Sequence, residues 1–256
     1  MLNTTPTIAG VAFPFCLMNA AGALSTSREE LLALAASDAG AVVTKSITQE
    51  SFLDPGARCG IENPGVAYYA SLLPELRRAG KPIITSVAGL SLEEFISTAQ
   101  ALAASGADLI EINLNDPHVH RHVNPFASSA RLFEIISAIR QAVSTPVAIK
   151  FPSTVPLPLA EVAAVLDDAD IRTVVCHNAS LNGTPSQAQT MLQLVHGKID
   201  IIGVGGVASG AEAATFLHSG LKALQVATAV VKEGVDAFTR LKREVLECAE
   251  PRIAAL

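Results

Sequence analysis

The segment 111–118, with the sequence EINLNDPH, holds several side chains suited to chemistry within eight residues. Apolar and polar residues alternate through its first half, which predicts a strand. Proline cannot donate to a sheet, so Asp116-Pro117 predicts the end of that strand. Carboxamides can both donate and accept hydrogen bonds along the edge of a heterocycle, and a carboxylate can take up a proton. Asp116 is therefore predicted to act as a base, or alternatively to form a turn before Pro117.

The elements that must position this strand end repeat along the whole chain. Apolar runs typical of strands lie at 15–20, 40–46, 82–89, 107–115, 146–151, 172–178, 199–205 and 223–230. Helical segments are predicted at about 27–37, 91–104, 129–142, 157–167, 186–196, 209–219 and 232–248. Ser27, Ser91 and Ser209 each precede a glutamate by three residues, the spacing of a capping box.

Most of the predicted strands are continuous apolar runs, as expected for parallel strands covered on both faces. Eight β/α units within 256 residues predict a TIM (β/α)8 barrel that occupies residues 1–256 as a single domain. An open doubly wound sheet is the alternative, but the glycine-rich first turn usual in that fold is absent.

Composition excludes several classes of partner. The net charge of −6 offers no basic surface for nucleic acid or an anionic membrane. No apolar run approaches the roughly 20 residues needed to span a bilayer, and the N-terminus lacks the pattern of a signal peptide. The four cysteines are far apart without metal-site spacing, which predicts reduced thiols and a cytoplasmic location. A small-molecule substrate is therefore expected.

In a TIM barrel the loops after the strands form the active site. Lys45 and Lys150 each end an apolar run, so both are expected at this mouth rather than on the outer surface. The pair Gly205-Gly206 precedes a helix, and Ala227-Thr228 follows the next strand, which together predict a phosphate site. The alternative is that these glycines serve only a tight turn. His118, His120 and His122 alternate without further ligands beyond Asp116, which favours a solvated loop over a metal site.

Several motifs resemble the class 1 dihydroorotate dehydrogenases, which are FMN-dependent TIM barrels. The similarity runs from about residue 12 to 240 and rests on NAAG, TKSIT, NLNDP, IKFP, CHNAS, IIGVGGV and QVATAVVKEG. It implies FMN as cofactor, held by Ala20, Ala21, Gly22, Lys45, Ser46, Asn113, Lys150, Asn178, Gly205, Gly206, Ala227 and Thr228. It implies substrate contacts from Lys45, Asn63, Asn113, His118 and Asn178. It also implies a homodimer.

The chain departs from the family pattern on the substrate side. The strand-four motif of the family is Asn-Leu-Ser-Cys-Pro-Asn, in which the cysteine removes a proton; Asp116 stands in its place, and His118 replaces the last asparagine. The substrate loop is shortened to residues 62–65, and the glycine-rich segment after the strand-six motif is missing, since Asn182-Gly183 runs directly into a helix. Ala179 stands where the family has a serine.

These residues predict an FMN-dependent oxidoreductase that oxidises a C–C bond next to a carbonyl in a dihydropyrimidine-like substrate. Asp116 and Lys45 are the predicted catalytic residues, and Lys150 is predicted to stabilise the reduced flavin. Two alternatives remain. One is a barrel that binds FMN or another phosphate ligand in a regulatory role without turnover. The other is a lyase that forms a Schiff base through Lys150.

Overall fold

The computed structural model describes residues 2–52, 62–178 and 185–249. Ten strands are β1 Thr7–Ile8, β2 Val11–Ala12, β3 Leu17–Asn19, β4 Val42–Val43, β5 Ile83–Val87, β6 Leu109–Asn113, β7 Val147–Lys150, β8 Thr173–His177, β9 Asp200–Val204 and β10 Ala223–Val226. The α-helices are α1 Arg28–Ala36, α2 Val66–Leu76, α3 Leu92–Ala104, α4 Pro117–His122, α5 Ser129–Ala142, α6 Leu159–Asp168, α7 Gln187–Val195, α8 Gly210–His218, α9 Thr228–Glu233 and α10 Ala237–Ala249. Two 3-10 turns cover Arg77–Ala79 and Gly234–Asp236.

Strands β3 to β10 form one parallel sheet that curls into a barrel, so the predicted TIM-barrel fold is confirmed. Each strand buries both faces, because its outer face packs against helices and its inner face fills the barrel. The inner face supplies a separate apolar cluster in which every strand is represented, for example by Met18, Val43, Ile84, Leu109 and Ala148. The barrel is therefore a packed core up to the level of its mouth.

The barrel is joined at one place by a side chain. The hydrogen-bonded strand order runs from β3 through β10 and back down to β4, so β3 and β4 form its two ends. Across this seam the Asn19 amide donates to Val43 O at 2.6 Å and accepts from Val43 N at 2.9 Å. Asn19 is fully buried, and Gly40 N adds a bond to Leu17 O at 2.7 Å. A carboxamide thus takes the place of a peptide group in the ladder.

Replacing Asn19 by alanine is expected to destabilise the protein by roughly 2–5 kcal/mol, because both polar groups of buried Val43 lose their partner. Chemical denaturation followed by circular dichroism measures this change. Cys16→Ala is the matched control, since it truncates an equally buried side chain in the segment leading into β3. Equal losses for the two variants would show that the seam bonds contribute nothing.

A hairpin formed by β1 and β2 closes the opposite end of the barrel. Its turn residues Ala9 and Gly10 both have positive φ, as a two-residue turn between antiparallel strands requires. Ile8 and Phe13 are buried in the interior cluster, and Ala9 N donates to the carboxylate of Asp200 at the start of β9. The hairpin was not predicted from the sequence because each strand is only two residues long.

The predicted helix starts are mostly confirmed. Ser27 and Ser209 form complete capping boxes at α1 and α8. Ser91 caps α3 by accepting from Glu94 N, but the Glu94 carboxylate bonds to Leu90 N instead of the cap residue. No described helix is long and apolar enough to cross a membrane.

Two local predictions were wrong, and one helix was missed. The last strand was predicted to continue to Val230, but β10 ends at Val226, where its register with Asn19 ends, and α9 begins at Thr228. Helix α2 was not predicted, although it supplies the helix of the second β/α unit. The segment 117–122 was predicted as a loop but forms helix α4.

Candidate active site

A layer of polar side chains lies inside the barrel above the apolar cluster, at the carboxyl ends of the strands. Glu111, Lys150, Gln225 and Ser86 occupy it, and each is at least nine-tenths buried. The alternation of each strand places them there: Leu109 and Ala148 are interior residues, so the residues two positions later face the same way. This layer forms the floor of the barrel mouth.

A buried ion pair forms one side of this floor. Lys150 Nζ lies 3.4 Å from Glu111 Oε1 and donates to Gln225 Oε1 at 2.9 Å. Gln225 Nε2 in turn donates to Glu111 Oε2 at 2.5 Å. The three side chains from β6, β7 and β10 therefore close a ring of contacts, and this ring holds the Lys150 ammonium at the strand end where it was predicted.

A chain of hydrogen bonds extends from the same carboxylate to the other side. Ser86 Oγ donates to Glu111 Oε1 at 3.0 Å and lies 3.2 Å from Ser46 Oγ. Asn113 Nδ2 donates to Ser46 Oγ at 2.8 Å. Two residues that were predicted separately, Ser46 after β4 and Asn113 at the end of β6, are thus in direct contact.

Asp116 caps the short helix α4. Its carboxylate accepts from His118 N at 2.8 Å, and the residue is 7% exposed. The turn-forming role weighed for this residue is therefore present. The same placement, three residues beyond Asn113 at the end of β6, also leaves the carboxylate at the mouth. Its role as a base stays a prediction.

The histidines of this segment lie on helix α4 and not on an extended strand. The His118 ring packs edge-on against Phe52 at 5.2 Å, while His120 bonds to Leu114 O through Nε2 at 2.7 Å. On a helix, residues two apart point to different sides. Among the described residues no group of three or more His, Cys, Asp or Glu side chains is placed to hold a metal ion.

Asn63 is buried in the loop that precedes α2. Its Oδ1 accepts from Gly65 N at 2.9 Å and from Thr48 N at 3.2 Å, and its Nδ2 donates to Thr48 Oγ1 at 2.9 Å. These contacts hold the loop in shape. A substrate contact from Asn63 stays a prediction, and the neighbouring residues 53–61 lie outside the described part of the chain.

Two buried polar atoms at the end of β8 have no hydrogen-bond partner within the described residues, namely His177 Nε2 and Asn178 Oδ1. Asn178 Nδ2 donates to Gly205 O at 2.9 Å, and a Cβ at Gly203 would lie 2.3 Å from Asn178 Oδ1, so only glycine leaves room there. Burial and the nearby Lys150 charge lower the pKa of His177, which keeps its imidazole neutral at pH 7. The predictions for Ala179, Asn182 and Gly183 concern residues outside the described part of the chain.

The remaining residues predicted to contact FMN are mostly small, and they lie at the strand ends around the mouth. Gly205 and Gly206 follow β9 with φ of 87° and 72°, and a Cβ at Gly205 would meet open space. Ala227 and Thr228 follow the neighbouring strand β10 at the start of α9. These two strand ends are adjacent in the sheet, so the predicted phosphate contacts lie side by side.

On the other side of the mouth, Ala20, Ala21 and Gly22 follow β3. Ala20 N donates to Val226 O at 2.9 Å, which ties this segment to the residues before Ala227. A Cβ built on Gly22 would lie 3.6 Å from Lys45 Nζ, so the half-buried Lys45 reaches across to this loop. The structure therefore brings the predicted residues of β3, β4 and β10 to one rim.

Nearly the whole chain matches known proteins of one family. The model of the dihydroorotate dehydrogenase family matches residues 1–191 and 186–248. The chain belongs to the dihydroorotate dehydrogenase family. A protein of Streptococcus agalactiae serotype V named as a dihydroorotate dehydrogenase A (fumarate) is 30% identical, with 96% of this chain and 94% of the relative covered. The catalytic subunit of dihydroorotate dehydrogenase B (NAD(+)) from Thermoplasma acidophilum is 29% identical, with 94% and 92% covered.

The crystal structure of Eimeria tenella DHODH in complex with ferulenol shares the fold, with a TM-score of 0.81 and 16% identity over 96% of this chain and 84% of that one. Together these matches make the chain an oxidoreductase of the dihydroorotate dehydrogenase type. The alignment with the Streptococcus agalactiae relative spans 290 positions, which exceeds the 256 residues of this chain. It therefore contains gaps on this side, as expected for a member of the family with shortened loops.

Sequence reasoning missed two residues of the polar floor, Glu111 and Gln225. Glu111 was assigned to the polar face of its strand without a role, and Gln225 was taken as part of an apolar run. A signal was present in both cases, because a charged or amide side chain in a strand buried on both faces requires a partner.

Proposed function

We propose that this chain binds FMN at the carboxyl-terminal mouth of its single barrel domain and oxidises a C–C bond next to a carbonyl in a dihydropyrimidine-like small molecule. The observation that carries the proposal is the buried network in which Lys150, Ser46 and Asn113 are joined at one mouth. Family membership supports it, because the dihydroorotate dehydrogenase family is flavin-dependent in general.

The residues present fit a flavin phosphate and ring. Gly205 leaves open space for a group close to the backbone, and the small residues after β3 leave room along a flat ring. Asn178 Oδ1 is a buried acceptor that lacks a partner within the described chain, so a ring N–H would satisfy it. Lys150 would then face the ring edge where negative charge develops on reduction.

The proposal assigns a separate role to the cofactor and to each of these residues. FMN, when bound, supplies the acceptor for a hydride. Asp116 takes the proton from the substrate carbon next to the carbonyl, and the hydride leaves from the neighbouring carbon, so a C=C bond forms in the product. Lys45, Asn113 and Asn178 bind and orient the substrate. Lys150, held by Glu111 and Gln225, would place its positive charge beside the cofactor.

FMN binding is expected to be stoichiometric, so protein purified with added FMN should be yellow with one flavin per chain. Lys150→Ala should weaken binding about tenfold or more, because a charge-assisted contact is lost. Lys198→Ala is the control, since Lys198 lies on the surface with 68% of its side chain exposed. A colourless protein that gives no heat with FMN in calorimetry would remove the proposal.

A Schiff-base lyase is less consistent with the site. Attack on a carbonyl requires an amine lone pair directed at the substrate, whereas Lys150 Nζ is engaged by Gln225 and paired with Glu111. Borohydride trapping with a carbonyl substrate distinguishes this chemistry from flavin chemistry. A barrel that binds FMN without turnover differs from the proposed enzyme by its failure to reduce the flavin with any dihydropyrimidine. A homodimer is also proposed from the family precedent, and sedimentation analysis tests it. The cytoplasmic location is proposed from the four cysteines, which are far apart in the sequence.

A further inference from the structure

We propose that Glu111 is the positioning residue of this site, whose carboxylate sets the direction of the hydrogen bonds that orient Lys150 on one side and Ser46 with Asn113 on the other. The inference rests on the proposed function, because those three residues are the proposed FMN and substrate contacts. It adds a residue that has no contact with the ligands in the assignment above.

The first step concerns the burial of the carboxylate. Glu111 has no exposed surface and lies inside the barrel near the end of β6. Burying a carboxylate is costly unless donors surround it. Three groups from three other strands meet this need: Ser86 Oγ, Gln225 Nε2 and Lys150 Nζ. The carboxylate is therefore the common acceptor of the polar floor.

On the Lys150 side only one orientation of the Gln225 amide works. Its NH2 faces Glu111 Oε2 and its carbonyl oxygen faces the ammonium of Lys150. A flipped amide would place an oxygen against the carboxylate and an NH2 against the ammonium, so both contacts would become repulsive. The charge on Glu111 thus fixes the amide, and the amide fixes the position of Lys150 Nζ.

On the other side the direction follows from the single proton of each hydroxyl. The hydroxyl proton of Ser86 is donated to Glu111. In the hydrogen bond between the two serines, Ser46 must therefore be the donor and Ser86 the acceptor. Ser46 Oγ can then accept from Asn113 Nδ2, and Asn113 Oδ1 accepts from Asn115 N. Every donor along this chain points toward Glu111, so the Asn113 amide is held in one orientation.

The direct test of the charge is Glu111→Gln. Both carboxylate oxygens receive donors, so the new NH2 must oppose one of them, and Lys150 loses its counter-charge. With FMN bound, the affinity for reduced relative to oxidised cofactor should rise about tenfold, the effect of one neighbouring charge on an ionisation equilibrium. This equals a rise in midpoint potential of about 30 mV for a two-electron couple, measured by spectroelectrochemistry.

Two variants control this measurement. Glu111→Asp keeps the charge and should stay close to the parent potential. Asp108→Asn removes one charge just before the start of the same strand, where the carboxylate accepts from Ile83 N, and should leave the potential unchanged. A Glu111→Gln protein with the potential of the parent would overturn the proposal.

The serine arm has its own test. Ser86→Ala removes the link between Glu111 and Ser46 and should weaken FMN binding by about threefold to tenfold, with little change in potential because the ion pair remains. Thr85→Val is the matched control, because the Thr85 hydroxyl is buried one residue away and has no hydrogen-bond partner in the described chain. Equal affinities for Ser86→Ala and the parent would overturn this arm.

A third readout needs no cofactor. In FMN-free protein, denaturation of Glu111→Gln, Lys150→Met and the double variant forms a double-mutant cycle. The double variant should have a higher free energy of unfolding than either single variant, because each single change leaves one buried charge unpaired. Simple addition of the two losses would show that no pair forms. If the parent protein does not bind FMN, the proposed function is overturned. The double-mutant cycle would still show whether Glu111 and Lys150 form a pair.

Discussion

Replacing Asp116 by asparagine is expected to slow flavin reduction by about 10²–10⁴-fold while FMN stays bound. The resemblance of NLNDP to the family motif predicts that Asp116 replaces the cysteine base. The amide of asparagine keeps the shape of the carboxylate but cannot accept the proton. The measurement is anaerobic stopped-flow absorbance of the flavin with whichever dihydropyrimidine proves active. Equal rates for parent and variant would reduce Asp116 to a turn residue.

The cap that Asp116 provides to α4 makes this substitution a clean one. Its carboxylate accepts from His118 N, and asparagine is an equally good N-cap residue. Asp116→Asn should therefore melt within a few degrees of the parent. Asp116→Ala removes the cap as well as the base and should be less stable by about 1 kcal/mol. Comparison of the two variants separates loss of basicity from loss of helix α4.

Dihydroorotate is expected to be a poor substrate, with kcat/KM lower by about 10²–10⁴ than in an efficient enzyme of the family. The sequence predicts a shortened substrate loop at residues 62–65, and the Asn63 amide already bonds to Thr48 and Gly65. Each buried polar group of the substrate left without a partner costs roughly 1–3 kcal/mol. Two or three such losses are enough to account for the expected decrease in kcat/KM.

Anaerobic mixing with dihydroorotate should bleach the flavin slowly or not at all. Dithionite provides the control, since full bleaching by that reagent shows that the bound flavin is competent. A second control is the panel of other dihydropyrimidines, among which a faster substrate is expected. Bleaching by dihydroorotate faster than about 10 s⁻¹, the median turnover of enzymes, would contradict the prediction.

The barrel could be predicted from sequence because its strands are buried on both faces and leave long apolar runs. Capping serines marked the helix starts in the same way, as at Ser27 and Ser209. Short elements produce no recognisable sequence pattern. Helices α4 and α9 have six residues each, which is too few for the helical period of apolar residues to be detected. The β-branched residues Thr228 and Val230 therefore extended the last predicted strand beyond its true end at Val226.

The candidate site was predicted from the residues at the strand ends. The prediction missed polar residues inside the barrel. Lys150, Asn113 and Ser46 were found because they follow apolar runs. Glu111 and Gln225 were not found. Their polarity in buried strands signals that each needs a partner, but no local pattern identifies a partner 114 positions away. Asn63 was predicted only as a substrate contact, and the structure adds that its amide bonds within the loop in which it lies.

The seam at Asn19 also has a consequence for the order in which a growing chain can fold. Strand β3 has its backbone ladder with β10, so Leu17 pairs with Leu224, while only the Asn19 amide and one bond from Gly40 N to Leu17 O join it to the strand that follows in sequence. As the ribosome releases the chain from its N-terminus, each of β5 to β9 can pair with the strand made just before it. Strand β3 must wait for almost the entire protein to emerge. During synthesis the nascent sheet therefore keeps an open edge at β4, which the Asn19 side chain covers when the last strand arrives.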